Sequence, residues 1–348
     1  MSKFHPYIEH MKHDMAISPL LQSHMLEFAN EQPFERAMAL LETALPAVQV
    51  GSSQCQRLTQ YFGNLPEMEE ILSSPGFDFE GVVSDQGAEQ VSANVLYVQV
   101  DGGHLRTDEG FRETKVGRIF AGHHRIKKSS DNEGVNLRME LTSSDYLAHL
   151  GHYAGFTARF DQLIGAHLRQ APNSRMVAIA DGAEWIANWL LAEYPSAIVI
   201  LDFYHAMEHL ADFAKLIFSS DTSRSDWIEG RRKELLDGKI DRVIAAIREK
   251  MAGRRQTIAD KAEQLIAYYE KNRNRMKYDE YRTAGYCIGS GAIESAISTV
   301  VQQRCKLVGQ RWTKRVTAVL NIRAVFKSGK RDMLRTIINQ QMGYAKAA

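Results

Sequence analysis

Acidic residues follow three short apolar runs of the sequence. The run "VLYVQV" ends at Asp101, "MVAIA" ends at Asp181, and "AIVIL" ends at Asp202. Runs of this length that are rich in valine and isoleucine are typical of buried strands. A carboxylate at the end of a buried strand can hold a metal ion, whereas an Asp-Gly pair after a strand, as at Asp101 and Asp181, is taken alone more often a turn. Their relative positions in the fold must therefore decide between the two roles.

The elements that would position these residues follow from the pattern of the chain. Strands are predicted at 94–100, 111–122 and 136–144, the three forming an antiparallel meander, and a helix at 144–170 with Ser144 as its N-cap. Further strands at 176–180 and 197–201 alternate with helices at 183–193 and 204–218, so these strands should be parallel. The order β-β-β-α-β-α-β-α is that of an α/β, ribonuclease-H-like fold.

The segments on either side of this region read as helical. A small all-α domain is predicted over 1–63, with a helix-turn-helix as one interpretation of 17–63 and Ser52 or Ser53 as the N-cap of its third helix. A polar linker follows at 64–90. The catalytic domain would occupy 91–220 and return at 284–348, interrupted by an α-helical insertion at 221–283.

The order of the strands in the sheet predicts different roles for the three aspartates. In such a sheet the first strand lies in the middle, the fourth lies beside it, and the fifth lies one strand further out. Asp101 and Asp181 can therefore converge on one ion, while Asp202, with His205 after it, is placed to support them. Glu294, in the first turns of a long helix that follows "GSG", is the candidate third acid.

Carboxylate oxygens are the ligands that Mg²⁺ and Mn²⁺ prefer, and three converging acids suit two such ions. Two metal ions can activate an attacking hydroxyl and stabilise the leaving oxygen of a phosphodiester. The acids Asp101, Asp181 and Glu294 therefore predict phosphoryl transfer. The spacing of His205 and His209 in "HAMEH" is compatible with zinc, but a third ligand is not recognisable there.

The charge distribution favours a polyanionic partner. The 348 residues carry a net charge of +1, yet residues 1–90 hold four Lys/Arg against thirteen Asp/Glu, while 304–335 hold ten Lys/Arg against one acid. A basic cluster on the helix after Glu294 or its continuation is predicted to contact DNA phosphates, and Trp312 either stacks on a displaced base or anchors the core. The cluster consists of Arg304, Lys306, Arg311, Lys314 and Arg315.

Composition excludes other classes of protein. Hydrophobic residues make up 44% of the chain, but no run of about 18 apolar residues exists and the first residues lack the apolar stretch of a secretory signal. Three cysteines without a C-x-x-C pair support neither a disulfide framework nor a cysteine zinc site. A cytoplasmic protein without a membrane contact is expected.

Several motifs in order resemble the transposases of bacterial insertion sequences, in the Mutator-like superfamily and close to its Kra-type group. The resemblance covers about 90–330 and rests on "YVQVDGG", "GFRETKVGRIFAG", "ADGAEWI", "ILDFYHAMEHL", "GSGAIES", "QRCKLVGQRWT" and "VLNIRAVFKSGKRD". It implies a catalytic Asp-Asp-Glu triad at Asp101, Asp181 and Glu294. It also implies an Asp-x-x-His pair at Asp202 and His205 and a helical insertion before the third acid.

The resemblance implies a DNA transposase that hydrolyses a phosphodiester at the terminal inverted repeats of an element and joins the freed 3′-hydroxyl to target DNA. It implies a homodimer or higher oligomer on DNA in the bacterial cytoplasm, associated with the nucleoid. Two alternatives stay open. One is a metal-dependent nuclease or resolvase without strand transfer, and the other is a domesticated DNA-binding protein without enzymatic activity.

Overall fold

A five-stranded mixed sheet forms the centre of the protein in the computed structural model, which describes residues 17–78, 94–122, 125–130, 137–289 and 296–341. The strands, in chain order, are β1 (Val95–Thr107), β2 (Gly110–Ala121), β3 (Arg125–Ser130), β4 (Leu137–Leu141), β5 (Asp145–Leu150), β6 (Arg175–Ala180) and β7 (Ile198–Leu201). The sheet has the order β5-β2-β1-β6-β7, with β2 antiparallel to β1 and β5, and β6 and β7 parallel to β1. The mixed α/β class and the central position of the first strand agree with the sequence.

The antiparallel half of the sheet differs from the predicted meander. The predicted third strand at 136–144 corresponds to β4, which pairs with β3 in a separate two-stranded sheet. The third strand of the main sheet is β5, at residues predicted to open a helix. Four consecutive residues, from Asp145 to Ala148, are buried, and a strand covered on both faces can bury such a run whereas one stripe of a helix cannot.

Ser144 is correspondingly not a helix N-cap. Its hydroxyl accepts a hydrogen bond from Arg118 Nε at 3.1 Å. The helix begins later, at Tyr153, where the ring nitrogen Nδ1 of His152 caps it by accepting from Ala154 N at 3.3 Å.

The first strand is longer than predicted. The sequence "DGG" was expected to end it, yet β1 continues through Gly102 and Gly103 to Thr107, where residues 108 and 109 make the turn into β2. A Cβ at Gly103 would lie only 3.1 Å from Ile297, so the glycine allows the Ile297 side chain to pack against the strand. Asp101 therefore lies within a strand, at the point where the parallel pairing with β6 ends.

Helices cover the sheet. They are α1 (Pro19–Glu31), α2 (Phe34–Ala44), α3 (Ser52–Gly63), α4 (Pro66–Ser73), α5 (Tyr153–Gln170), α6 (Glu184–Glu193), α7 (Phe203–Ile217), α8 (Asp221–Leu236), α9 (Ile240–Met251), α10 (Gln256–Asn272), α11 (Tyr278–Thr283), α12 (Gln303–Cys305), α13 (Val316–Lys327) and α14 (Arg331–Gln341). A π-helical turn at Ser298–Gln302 precedes α12. None of these described helices combines the length and apolarity needed to cross a membrane.

The three helices predicted within 17–63 are confirmed, but two details of this region were wrong. Helix α3 begins at Ser52 and is capped by Gly51, whose N–H donates to Gln54 Oε1 at 2.9 Å. The start of the predicted linker is helical as α4, where Met68, Ile71 and Leu72 are buried at helical spacing.

Two hydrophobic clusters lie on the two faces of the sheet. One joins the apolar residues of α1 to α4, α5, α6 and α13 to one face, so the N-terminal helices share a core with the C-terminal ones. The other joins the opposite face to α7 and to the helices of 221–283. The predicted insertion is helical, and it covers the face of the sheet on which α7 lies.

Some of the opposite charges at the two ends of the chain pair with each other. Glu31 on α1 pairs with Lys327 at 2.9 Å and with the fully buried Arg323 at 3.3 Å. Glu27 pairs with Arg331. Two acids of the N-terminal segment therefore pair with three of the ten basic residues in 304–335, which leaves fewer cations for an external partner than the sequence indicates.

A buried ionic cluster joins four parts of the chain around Asp145 of β5. Its carboxylate lies 2.7 Å from His167 Nε2, 2.7 Å from the donating N–H of Gly76 and 3.0 Å from Lys330 Nζ. Burial by itself raises the pKa of Asp145, but the His167 hydrogen bond and the Lys330 charge hold it below its usual value. Asp145 and His167 are completely inaccessible to solvent, so the charge of this carboxylate is stabilised by its protein partners and not by water.

We expect Lys330→Met to lower the free energy of unfolding by about 3 kcal/mol, because it leaves Asp145 buried with one charge partner fewer. The matched control is Lys327→Met, whose pair with the half-exposed Glu31 is worth about 1 kcal/mol or less. Urea unfolding followed by circular dichroism measures both. Equal losses in the two variants would contradict this role of Asp145.

The same cluster should make stability depend on pH. Because its pKa is lowered in the folded state, ionised Asp145 contributes stability that is fully present above about pH 4 and lost as the pH falls through the lowered pKa. The midpoints of urea unfolding of the wild type and of Lys330→Met should therefore converge when the pH falls below the lowered pKa of Asp145.

Candidate active site

Strand register brings the three aspartates to one level of the sheet. Val100 of β1 is the register partner of Ala180 of β6, and Ala180 is the partner of Leu201 of β7. Asp101, Asp181 and Asp202 each follow one of these residues directly. Neighbouring strands lie about 4.8 Å apart, so Asp181 lies between the other two at the carboxyl ends of the parallel pairs.

Local hydrogen bonds hold each aspartate in place. Asp101 Oδ1 accepts from Gly102 N at 2.8 Å, and Asp181 Oδ1 accepts from Ala183 N at 3.1 Å. Asp202 is the N-cap of α7, where its Oδ1 accepts from Tyr204 N at 2.8 Å and more weakly from His205 N at 3.4 Å. A capping carboxylate is fixed by the helix, which fits the supporting role predicted for Asp202 better than that of a central ligand.

A cavity of about 210 Å³ opens over this end of the sheet. All three aspartates line it, together with side chains of α7 and residues of β1, β6 and the chain before α12. The lining residues are Gln99, Val100, Asp101, Ile179, Ala180, Asp181, Asp202, Tyr204, His205, Glu208 and Ala296. At about 30 Å³ per water molecule, this volume is that of several water molecules.

The histidines of α7 contact each other beside the cavity. His205 Nε2 and His209 Nε2 lie 3.2 Å apart, and His205 Nδ1 lies 3.4 Å from Glu208 Oε2. Burial, and then the neighbouring His205, lowers the pKa of His209. A neutral His209 can share one proton with His205, which would orient the imidazole that faces the cavity.

The insertion reaches the same site through Tyr268 of α10. Its ring lies 4.6 Å from that of His209, and its hydroxyl is buried with no hydrogen-bond partner among the described residues. Burial, followed by the negative charge of Asp181, raises the pKa of Tyr268. Tyr268 is therefore a neutral donor beside Asp181. No local sequence pattern connects α10 to β6, so the sequence alone does not predict this residue.

Gly182 makes room for this tyrosine. The residue has φ of 54°, and a Cβ placed there would lie 2.7 Å from the Tyr268 ring and 2.9 Å from its hydroxyl. A glycine directly after Asp181 thus allows the insertion to approach the carboxylate. The "DG" pair in the sequence was the one available signal.

The chain returns from the insertion beside Asp202. Phe203 N donates to Ile288 O at 2.9 Å, and a Cβ at Gly289 would lie 2.9 Å from Asp202 Oδ1. On the other side, Ala296 lines the cavity. Glu294, the predicted third acid, lies outside the described residues, as does all of 290–295.

The basic cluster divides between the core and the surface, because the predicted long helix ends at Cys305. Arg304 is fully buried, where Nε donates to Ala29 O at 2.9 Å and the guanidinium lies over the Phe34 and Trp312 rings. It is therefore a core residue and not available to a phosphate. Trp312 is half-buried against the core, and its Nε1 donates to Cys305 O at 2.9 Å.

The other members of the cluster lie on a loop between α12 and α13. These exposed residues are Lys306, Arg311, Lys314 and Arg315. Lys314 pairs with Glu109 of the β1–β2 turn at 2.9 Å.

The donor set partly fits a hard cation. Asp101 and Asp181 supply the carboxylate oxygens that Mg²⁺ or Mn²⁺ prefers. Among the described residues, however, no group of three His, Cys, Asp or Glu side chains is arranged to hold a metal ion. Neither a family model nor a curated protein matches this chain.

Gly182→Ala should destabilise the protein for two reasons. The left-handed backbone costs alanine about 1–2 kcal/mol, and displacement of the Tyr268 ring adds about 1–3 kcal/mol. Gly253→Ala is the matched control, since Gly253 has φ of 69° and a Cβ there meets no described heavy atom within 4 Å. Thermal unfolding compares them. Equal loss in both variants would mean that Tyr268 does not pack against Gly182.

Proposed function

We propose that the chain is a DNA transposase of the Asp-Asp-Glu type, which cuts phosphodiesters at element ends and joins the freed 3′-hydroxyl to target DNA. The observation that carries the proposal is the placement of Asp101 and Asp181 after register partners on adjacent parallel strands, lining one cavity. The motif resemblance to insertion-sequence transposases supports the same assignment. Two carboxylates on neighbouring strands can hold a metal ion at the reacting phosphate.

The ribonuclease-H-like fold is part of this proposal. Three antiparallel strands are followed, across α5, by two parallel strands on the other side of β1. The helical insertion enters after α7, and the chain then returns at Ile288, whose carbonyl accepts from the N–H of Phe203 at the start of α7. This order of elements supports the fold, although the third strand is β5 rather than the segment first predicted.

The predicted site residues and Tyr268 have separate proposed tasks. Asp101 and Asp181 hold Mg²⁺ or Mn²⁺, with Glu294 as the third ligand, and the ions would supply charge stabilisation and an activated hydroxyl at the phosphate. Asp202 fixes the start of α7 and thereby the position of His205. The Tyr268 hydroxyl, which has no partner among the described residues, can donate a hydrogen bond to a bound group beside Asp181, and its raised pKa keeps that proton in place at neutral pH.

The proposed partner is DNA, first as terminal inverted repeats and then as target. Lys306, Arg311 and Arg315 are exposed and can contact phosphates, whereas Lys327 and Arg331 pair with acids of α1. A homodimer on DNA is proposed, since two element ends must be paired before joining.

Asp181→Asn is expected to abolish Mg²⁺-dependent cleavage and joining of labelled element ends while the protein stays folded. The rise in melting temperature that Mg²⁺ gives the wild type should also disappear, because binding to the folded state is lost. The DNA that flanks the gene supplies the ends, as inverted repeats bounded by a short direct duplication. Wild-type activity in Asp181→Asn would refute the proposal.

Asp202 should respond differently. Asp202→Asn keeps an N-cap and is expected to reduce cleavage by about 10- to 100-fold, in the range of residues that orient metal ligands. Asp202→Ala also loses the cap and about 1 kcal/mol of stability. Loss of Mg²⁺ binding in Asp202→Asn as complete as in Asp181→Asn would mean that Asp202 is itself a ligand.

Strand transfer distinguishes the transposase from a nuclease of the same fold. Wild-type protein, labelled ends and a target plasmid should yield joined product when Mg²⁺ is present. Cleavage without joined product would favour the nuclease. Salt-sensitive DNA binding without any turnover would favour a DNA-binding protein.

A further inference from the structure

The loop between α12 and α13 is built as a rigid projection. We define the wedge loop as residues 306–315. Its base pairs with the end of β1, because Trp312 N donates to Arg106 O at 3.1 Å and Asp108 N donates to Trp312 O at 2.8 Å. The indole of Trp312 fixes the same point to Cys305. The loop therefore extends the β1–β2 ribbon.

A tight turn forms the tip of the wedge loop. Gln310 N donates to Leu307 O at 3.0 Å, Leu307 N donates to the Gln310 side chain at 3.2 Å, and Gly309 has φ of 79°. This turn points Val308 outwards, with its surface completely exposed, while Leu307 is 40% exposed. Val308 packs against none of the residues that the structure describes and Leu307 is only partly covered, so both side chains can contact a partner at the tip of the loop.

Charge around the tip restricts the partner. Lys306, Arg311 and Arg315 are exposed on the wedge loop, and the sequence has no acidic residue from 303 to 331. Glu109 of the β1–β2 turn pairs with Lys314. Duplex DNA fits this arrangement, because its phosphates can contact the cations and its stacked bases can contact the two apolar side chains. A stable protein interface needs a much larger contact area.

We propose that Leu307 and Val308 form an apolar wedge that enters the minor groove of duplex DNA and partly unstacks a base step, while the flanking cations hold the phosphates. The proposal rests on the proposed function, since it assigns a further contact to the same substrate. Thr107, which bridges Trp312, lies six residues beyond Asp101 along β1. That length of strand spans about 20 Å, or about six base pairs of duplex. One duplex can therefore reach both the wedge and the aspartates.

The test uses the full-length chain and a 30-base-pair duplex of random sequence containing 2-aminopurine, with EDTA present so that binding is measured without cleavage. Wild-type protein should raise the 2-aminopurine fluorescence as a base step opens. Val308→Ser should abolish that rise and weaken binding about 10-fold, without a change in the salt dependence of the dissociation constant. Arg311→Ala should instead reduce the slope of the salt dependence by about one.

Leu191→Ser is the matched control, because Leu191 is 72% exposed on α6 and should leave both readouts unchanged. Wild-type affinity and fluorescence in Val308→Ser would overturn the proposal. So would a change of oligomeric state in Val308→Ser, measured by sedimentation, with DNA binding intact, since the tip would then contact a second copy of the chain.

The wedge and the catalytic proposal fail separately. Asp181→Asn should still bind the duplex and give the full fluorescence rise, because the aspartate takes no part in the wedge. Cleavage by the wild type without any fluorescence rise would overturn the wedge alone. A fluorescence rise that needs Val308, in a protein that never cleaves, would retain the wedge and overturn the transposase.

Discussion

Parallel pairing of β1 with β6 and of β6 with β7 is the constraint on which the candidate site depends. The register sets Val100, Ala180 and Leu201 side by side, so the next residue on each chain is an aspartate at the same level. A shift of one residue in either pairing would move a carboxylate to the other face of the sheet. Backbone hydrogen bonds therefore hold the charges together in spite of their mutual repulsion.

The two faces of the sheet have different roles. One face joins the N-terminal helices and α13 in a single hydrophobic cluster, which stabilises the sheet. The other face carries α7 and the helical insertion, and the insertion places Tyr268 beside Asp181. The insertion thus approaches the residue next to Asp181 as well as covering this face of the sheet.

Some of the opposite charges at the two ends of the chain pair within the fold. Glu27 and Glu31 of α1 neutralise cations near the C-terminus, and Asp145 does the same for Lys330 in the interior. Lys306, Arg311 and Arg315 remain exposed on the wedge loop, after the helix has ended at Cys305. Pairing within the fold therefore decides which basic residues can contact a partner.

The sequence by itself determined the mixed α/β class, the central first strand, the helical insertion and the set of aspartates at one end of the sheet. These features depend on apolar periodicity and on the order of elements, which are local properties. Tertiary structure decided the rest. Residues 145–150 became a strand because both faces of that segment are buried, and β1 passed through "DGG" because β2 pairs with it along its whole length. Arg304 became a core residue because Ala29, Phe34 and Trp312 surround it, and Tyr268 joined the site through packing between segments distant in sequence, which no local pattern records.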